Sequence, residues 1–470
     1  MYRIPDASRP LIQRFFILLV ATVTILVCVI PMGELPLWNG EIPGHRNQYE
    51  LMAEAILDGR IEFAYGDEAE LEKLTNPYDP DERKASGVRY HWDHAYYKGH
   101  YYMYFGIVPV FLAFLPYRIL TGQALTTYHG TQLFAAFTIA GIFALFYLLK
   151  KRFFKSMPLG VYLLLSAAFS VISVWYSTAE PALYCTAITA ALALETWSLY
   201  FFLRAVYVEE QENRQISFAA VGALLGALVF GCRPPIALAN IVVLPLLFVF
   251  LRQRKITGHL ISKLVFAAAP YAVVGICLMV YNYVRFENPF EFGQAYQLTV
   301  ADQSNYRFNL NFPQLLRIIN GTVENFLQYR SINTAFPYVQ TNGVFFNFPI
   351  LALSFSVLSA PVWKRARRTG LRPFLVGLAV SVLVITAADV MWSPYLLERY
   401  RTDIYFLMGI GCFIAMGLWF EESRQKEALT ATFSFLSVLT LVSAFLLCVR
   451  TVGVYYPEKV AEIARALGLS

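Results

Sequence analysis

Charge is scarce in this sequence. Asp, Glu, Lys and Arg make up 15% of 470 residues, where a soluble globular chain carries about 25%. With 57% apolar residues there is too little polar surface to clothe a body of this size in water. That excludes an ordinary cytosolic enzyme, a disordered chain and a nucleic-acid-binding module. Neither sign of charge is in marked excess: 38 basic against 32 acidic residues gives +6, which implies no polyanionic partner. Cysteine is sparse too. The six residues, at 28, 185, 232, 277, 412 and 448, lie inside apolar runs with no CxxC spacing, so neither a disulfide frame nor a zinc site is expected. The chain also lacks an internal repeat of fixed period, which disfavours the commonest transporter folds.

What the chain has is long apolar runs. About 20 apolar residues cross a bilayer core of roughly 30 Å, and eleven such runs are predicted: 15–32, 131–149, 158–177, 182–203, 216–232, 236–251, 264–283, 345–362, 373–390, 404–420 and 429–449. The expected fold is therefore an all-α polytopic membrane protein, with the N-terminal run (domain 1–32) as an anchor helix. Lys150, Lys151, Arg152 and Lys155, then Arg252, Arg254, Lys255 and Lys263, then Lys364, Arg365, Arg367, Arg368 and Arg372 all fall in one set of short connections. The positive-inside rule makes that side cytoplasmic and puts the N-terminus inside. The apolar stretch 104–120 carries Pro109 and Pro116, and crossing there would export Lys150 to Lys155. It reads as a helix on the outer surface. The expected units are then a large helical first extracytoplasmic loop (33–130), a transmembrane bundle (131–283), a second outer loop (284–344), a second bundle (345–449) and an outer tail (450–470). A bacterial plasma membrane is the expected location.

Most acidic residues fall in the outer segments, whereas a channel or carrier places ionisable groups at midplane. The first loop opens on Gly40-Glu41-Ile42-Pro43 and continues into an amphipathic helix predicted over 47–57, ended by Asp58-Gly59. Glu41 and Glu50 are carboxylates that could face a cavity above the bilayer. Between 90 and 102, Asp93 stands among His91, Trp92, His94, Tyr96, Tyr97, His100, Tyr101 and Tyr102. Stacking faces around a hydrogen-bond acceptor are what a sugar site needs; the same rings could form an interfacial belt. No cofactor is expected, although His91, Asp93, His94 and His100 could hold a divalent metal if they converge. Arg285, at the exit of a span, and Arg399 with Tyr400, at the mouth of another, are candidates for binding phosphate, because a guanidinium grips it bidentately. Glu398 and Asp403 are the expected neighbours of Arg399 and Arg401. Arg233 in Gly231-Cys232-Arg233-Pro234-Pro235 reads as a side chain snorkelling to the interface within local ion pairs.

At these residues the sequence resembles the polytopic glycosyltransferases of the GT-C superfamily, in particular the dolichyl- or polyprenyl-phosphate-mannose-protein mannosyltransferase-like group. Tyr49, Ala53, Ile56 and Gly59 follow the Y-x-x-x-A-x-x-L-x-x-G pattern of that group's first outer loop. Gly99-His100-Tyr101 with Pro109 follows its G-x-Y and proline-containing helix, and Glu398-Arg399-Tyr400 is similar to its late R-Y element. Where those enzymes carry an acidic pair, this chain has His45-Arg46-Asn47-Gln48. Asp93, Glu41 and Glu50 therefore stand as the candidate catalytic acids.

The resemblance implies an enzyme that moves a sugar from a polyprenyl-phosphate carrier to an acceptor (a cell-envelope glycan, a lipid or a protein) on the outer face. A carboxylate would serve as general base, with Arg399, Tyr400, Arg285, His100 and Tyr101 binding the donor. The alternatives are a flippase or transporter for a lipid-linked sugar, and a surface-polysaccharide polymerase or ligase. For a carrier, Glu195 is the acid deepest in a span.

Overall fold

The computed structural model describes residues 9–29, 48–252, 254–304, 311–392 and 397–469. Glu41 lies outside them. Among the described residues ten helices are long and apolar enough to cross a membrane. The first, α1 (Arg9–Val29), is followed by an outer domain: α2 (Gln48–Leu57), β1 (Glu62–Phe63), α3 (Pro80–Ser86), β2 (Ala95–Tyr97), β3 (His100–Tyr102) and α4 (Leu115–Thr121). The bundle continues with α5 (Thr127–Phe153), α6 (Leu159–Ala179), α7 (Leu183–Tyr207) and α8 (Glu212–Phe230). Next come α9 (Pro234–Ala237) and α10 (Val243–Leu251), which form one crossing through a 3₁₀ stretch, and α11 (Gly258–Phe286). The amphipathic α12 (Phe312–Leu327) precedes α13 (Val344–Asn347), α14 (Ala360–Thr369), α15 (Arg372–Trp392), α16 (Glu398–Glu422), α17 (Lys426–Gly453) and the short α18 (Pro457–Ala466).

The basic connections predicted to be cytoplasmic do gather at one end. Arg152 Nε donates to the Tyr207 carbonyl at 2.8 Å, the Tyr207 hydroxyl to the Gly370 carbonyl at 2.9 Å, and Arg365 pairs with Glu422 at 3.2 Å. The stretch 104–120 stays on the outer side, where its π-helical turn (Val110–Phe114) and α4 pack on α2. Tyr49 of α2 stacks on Phe114 with ring centroids 5.1 Å apart.

One predicted crossing differs in kind. Residues 345–362 are not a continuous α-helix: α13 gives way to a ten-residue 3₁₀ helix (Pro349–Leu358) and then to α14. Pro349 and Pro361 cannot donate to an α-helical ladder. Ser354 and Ser359 turn their hydroxyls back onto the carbonyls of Leu351 and Ser356, at 2.7 and 2.8 Å, which competes with α-helical bonding. The segment still connects the two sides, since Asn347 bonds Glu398 at the start of α16 and Arg365 pairs with Glu422 at its end.

The first outer loop also holds a small antiparallel sheet, ordered β1-β3-β2, which the all-α expectation did not include. Its hairpin turns at Lys98 and Gly99, both at positive φ (48° and 81°), the geometry of a two-residue turn that glycine favours. Thus the G-x-Y element is a β-turn leading into β3. Beyond the sheet, the 103–108 segment dives against the Gly231–Arg233 turn, and Val108 N donates to the Gly231 carbonyl at 2.9 Å. Gly106 permits this approach, because a Cβ there would stand 2.2 Å from the Gly231 oxygen.

Candidate active site

Asp93 sits at φ 57°, a left-handed conformation rare outside glycine, and the second outer loop holds it there. Its N–H donates to the Leu298 carbonyl at 3.0 Å, Leu298 N donates to the His94 carbonyl at 2.9 Å, and Tyr96 N donates to the Tyr296 carbonyl at 2.9 Å. Residues 296–298 thereby act as an extra strand along β2. From this strand Gln297 Nε2 donates to Asp93 Oδ1 at 2.9 Å, while Gln48 Nε2 donates to the Asp93 carbonyl at 2.8 Å. Burial pushes the Asp93 carboxyl above its ordinary range. The positive charge of Arg399 and hydrogen bonds from Gln297 and Trp92 pull it part of the way back.

Arg399 faces Asp93 from the first turn of α16. Its guanidinium lies 4.3 Å from the centre of the Tyr184 ring and 5.4 Å from that of Tyr400. It makes no ion pair among the described residues; its expected partner Asp403 is engaged elsewhere. Arg233 takes Asp403 instead, with Nε at 2.9 and 2.8 Å from the two carboxylate oxygens and Nη2 at 2.8 Å. Asp403 is buried and Arg233 half-buried, and the Tyr400 ring centre is 5.5 Å from the Arg233 guanidinium. Arg233 is therefore an internal ion-pair residue and not a snorkelling one: Pro234 and Pro235 start α9 directly behind it and turn it into the protein. Asp389 of α15 is buried next to Arg233 and Asp403. Tyr104, whose hydroxyl burial holds protonated, lies close enough to Tyr400 and Asp93 to feel their charge.

The other sequence-predicted residues are distributed differently. Arg401 is buried and belongs to the fold: it pairs with Glu398 at 2.5 Å and bonds Asn325 and Gln328 at 3.2 and 3.1 Å, anchoring α12 to α16. Arg285 donates to the Met103 carbonyl and to Asn282 Oδ1, both at 2.7 Å, and lies 3.8 Å from the Tyr281 ring centre. Its charge is thus committed to holding the 103 segment. Glu50 accepts from Thr127 N at 3.2 Å and so caps α5. Tyr101 is buried within the sheet's aromatic cluster, and His100 is exposed on β3.

The histidines do not converge with Asp93. His91 Nε2 lies 3.2 Å from Asp67 and its ring stacks on Tyr65 at 3.5 Å. His94 is buried and bonds the Tyr65 hydroxyl at 2.7 Å and the Trp92 carbonyl at 2.9 Å, and burial pushes its pKa down to about 3. Among the described residues no three His, Cys, Asp or Glu side chains are grouped to hold a metal ion.

Sequence reasoning did not find Gln297, Tyr104 or Tyr184, nor the Arg233–Asp403 pair. The first three are single polar residues without a motif. The pairing joins residues 170 positions apart.

No protein-family model and no curated protein matches the sequence. Among solved structures, the chain is similar to the apo oligosaccharyltransferase of Archaeoglobus fulgidus, with a TM-score of 0.51 and 13% identity over 93% of this chain. It spans only 56% of that protein's length. It also aligns with ArnT from Cupriavidus metallidurans, bound to undecaprenyl phosphate (TM-score 0.41) and in the apo state (0.45). Each alignment has 12% identity over 97% of this chain and 77% of the other. The chain thus shares the overall fold of that oligosaccharyltransferase structure.

Proposed function

We propose that the chain is a membrane glycosyltransferase that moves one sugar from a polyprenyl-phosphate carrier to an acceptor hydroxyl on the outer face of a bacterial plasma membrane. The observation that carries the reading is Arg399, a guanidinium without an ion-pair partner among the described residues, held by two tyrosine rings near the half-buried carboxylate of Asp93. A cation so placed is matched to a phosphate that develops charge as its bond to the sugar breaks. The likeness to an oligosaccharyltransferase supports the fold on which such chemistry would run.

In the reaction, Asp93 accepts the proton of the acceptor hydroxyl as its oxygen bonds to the anomeric carbon, and the carbon–oxygen bond to phosphate breaks with its electron pair going to the phosphate. The sugar passes through oxocarbenium character. A carboxyl raised by burial is a better base than an ordinary aspartate, and such a group contributes typically about 10²–10⁴-fold. Attack from the face opposite the phosphate inverts the anomeric centre. The carrier tail lies along the lipid-facing sides of the spans. His91, Asp93 and His94 each bond a different partner and His100 is exposed on β3, so transfer is expected to survive chelation.

The reading is tested with purified protein in nanodiscs and a polyprenyl-phosphate sugar, following release of the polyprenyl phosphate. Loss of release in both Asp93→Asn and Arg399→Ala supports it; full release in both removes this pocket from the chemistry. A deletion strain should accumulate the unused polyprenyl-phosphate sugar in its lipid extract.

A further inference from the structure

We propose that the open cleft beside Asp93 is a binding site for the pyranose rings of a glycan, which, on the reading above, is the acceptor. The cleft has a volume of about 500 Å³ and lies on the outer domain between α3, the irregular segment 88–92 and Val300 of the second outer loop. That volume is in the usual range for ligand clefts, about 300–1,000 Å³.

Its walls have the chemistry of a sugar site. Trp92 is 47% exposed, unusual for so large a ring on a folded domain, and its centre lies 6.4 Å from that of Tyr90 at a 44° tilt. Beneath them Arg83 is only 1% exposed and is fixed by donating to the carbonyls of Pro77 (2.7 Å) and Thr299 (2.6 Å). Its guanidinium backs the Tyr90 ring at 4.8 Å, and its Nε has no hydrogen-bond partner among the described residues. Tyr90 is thus backed by a fixed group, and with the exposed Trp92 ring beside it offers an apolar surface suited to the C–H faces of sugars. Asp81 and Lys84 of α3 line the cleft and offer an acceptor and a donor to hydroxyl groups.

Two features set this cleft apart from other uses. An extended peptide is captured by adding a strand to a free sheet edge, but the edge of β2 beside the cleft is already taken by residues 296–298. Charged side chains of both signs on the rim, Asp81 and Lys84, do not suit immersion in lipid. The cleft also adjoins the candidate base: Trp92, which lines it, is the chain neighbour of Asp93. A sugar stacked on Trp92 is thereby carried to the edge of the candidate base.

The test uses the full chain in nanodiscs and saturation-transfer NMR with mannotetraose, maltotetraose and chitotetraose, free and attached to a lipid anchor. At least one tetrasaccharide should bind, with affinity lowered about tenfold or more in Trp92→Ala and in Tyr90→Ala. Affinity should be kept within about threefold in Trp92→Phe, which retains a stacking face. Arg399→Ala should bind the sugar normally. Thermal midpoints of all variants identify any that are merely misfolded, and Trp92→Phe carries the comparison if the alanine variants are. Preference for the free or the anchored sugar identifies a polysaccharide or a glycolipid as the source. Failure of all three sugars, undiminished binding in Trp92→Ala, or saturation by a Gly-Ser peptide in their place would overturn the proposal. Sugar binding at Trp92 without transfer from any carrier would leave the cleft standing and remove the transferase reading. Transfer that is indifferent to Trp92 would do the reverse.

Discussion

Gln297 donates to the carboxylate of Asp93 at 2.9 Å from a position 204 residues further along the chain. The candidate base is thus built jointly by the two outer loops: one supplies the acid and the other the hydrogen bond that favours its ionised form.

That relationship sets a pH dependence. Asp93 works as a base only when ionised, and its pKa lies above the ordinary value of about 3.9. Activity should therefore fall on the acid side as pH drops through that raised value. Gln297→Leu removes an N–H that stabilises the carboxylate, so the acid limb of kcat/KM should move to higher pH while the alkaline limb stays in place. An unmoved acid limb would show that Asp93 is not the titrating base.

Arg399 and Arg401 should separate cleanly. Arg399→Ala should raise the donor concentration needed and slow turnover at unchanged thermal stability, and Arg399→Lys should recover little, since a point charge does not reproduce the planar fork. Arg401→Ala leaves Glu398 buried without its cation, which costs about 3–5 kcal/mol. It should appear as a lowered thermal midpoint. Equal kinetic defects in both variants would sink the phosphate assignment.

His94 gives the outer domain a stability signature of its own. Its pKa is about 3 in the fold, because of burial, against about 6.5 when unfolded. The unfolded chain takes up a proton below pH 6.5 that the folded chain refuses. Stability present above that pH is then lost on acidification at about 1.4 kcal/mol per unit, down to pH 3. His94→Gln should flatten this part of the melting profile.

At Gly106 the prediction is steric. A methyl group there meets the carbonyl oxygens of Gly231 and Cys232 at 2.2 and 2.6 Å. Gly106→Ala should destabilise by about 1–3 kcal/mol and disturb the site through the Arg233 turn, measured as a lower midpoint together with a raised donor requirement.

Topology is checked by labelling in a cysteine-free background. Cysteines replacing Lys73 and Arg367, both exposed, should react from outside and only after permeabilisation, respectively. A reporter fused after Lys151 should read cytoplasm. Outside reaction at 367 would invert the arrangement.

The crossings were legible because a bilayer core demands about 20 apolar residues in a row, a signal that survives any tertiary detail. The aromatic surroundings of Asp93 and Arg399 were legible in part, since Trp92 and Tyr400 are their chain neighbours. The partners of the arginines were not. Asp403 lies within helical reach of Arg399 yet binds Arg233, and the choice depends on how α9 and α16 meet. The sheet was hidden because its strands are two and three residues long, below any periodicity.

The 3₁₀ crossing has a geometric consequence. Eighteen positions separate Asn347 from Arg365, and twenty-four separate their partners Glu398 and Glu422 on α16. As a continuous α-helix the shorter stretch would reach about 27 Å, against about 36 Å on the α16 side. With ten residues advancing about 2.0 Å each, it reaches about 32 Å. The tighter winding is thus a means of covering distance: a strand of chain short by a turn and a half is drawn out to keep pace with its neighbour. Lengthening it by four residues would remove the need, and that crossing would be free to relax into an ordinary helix.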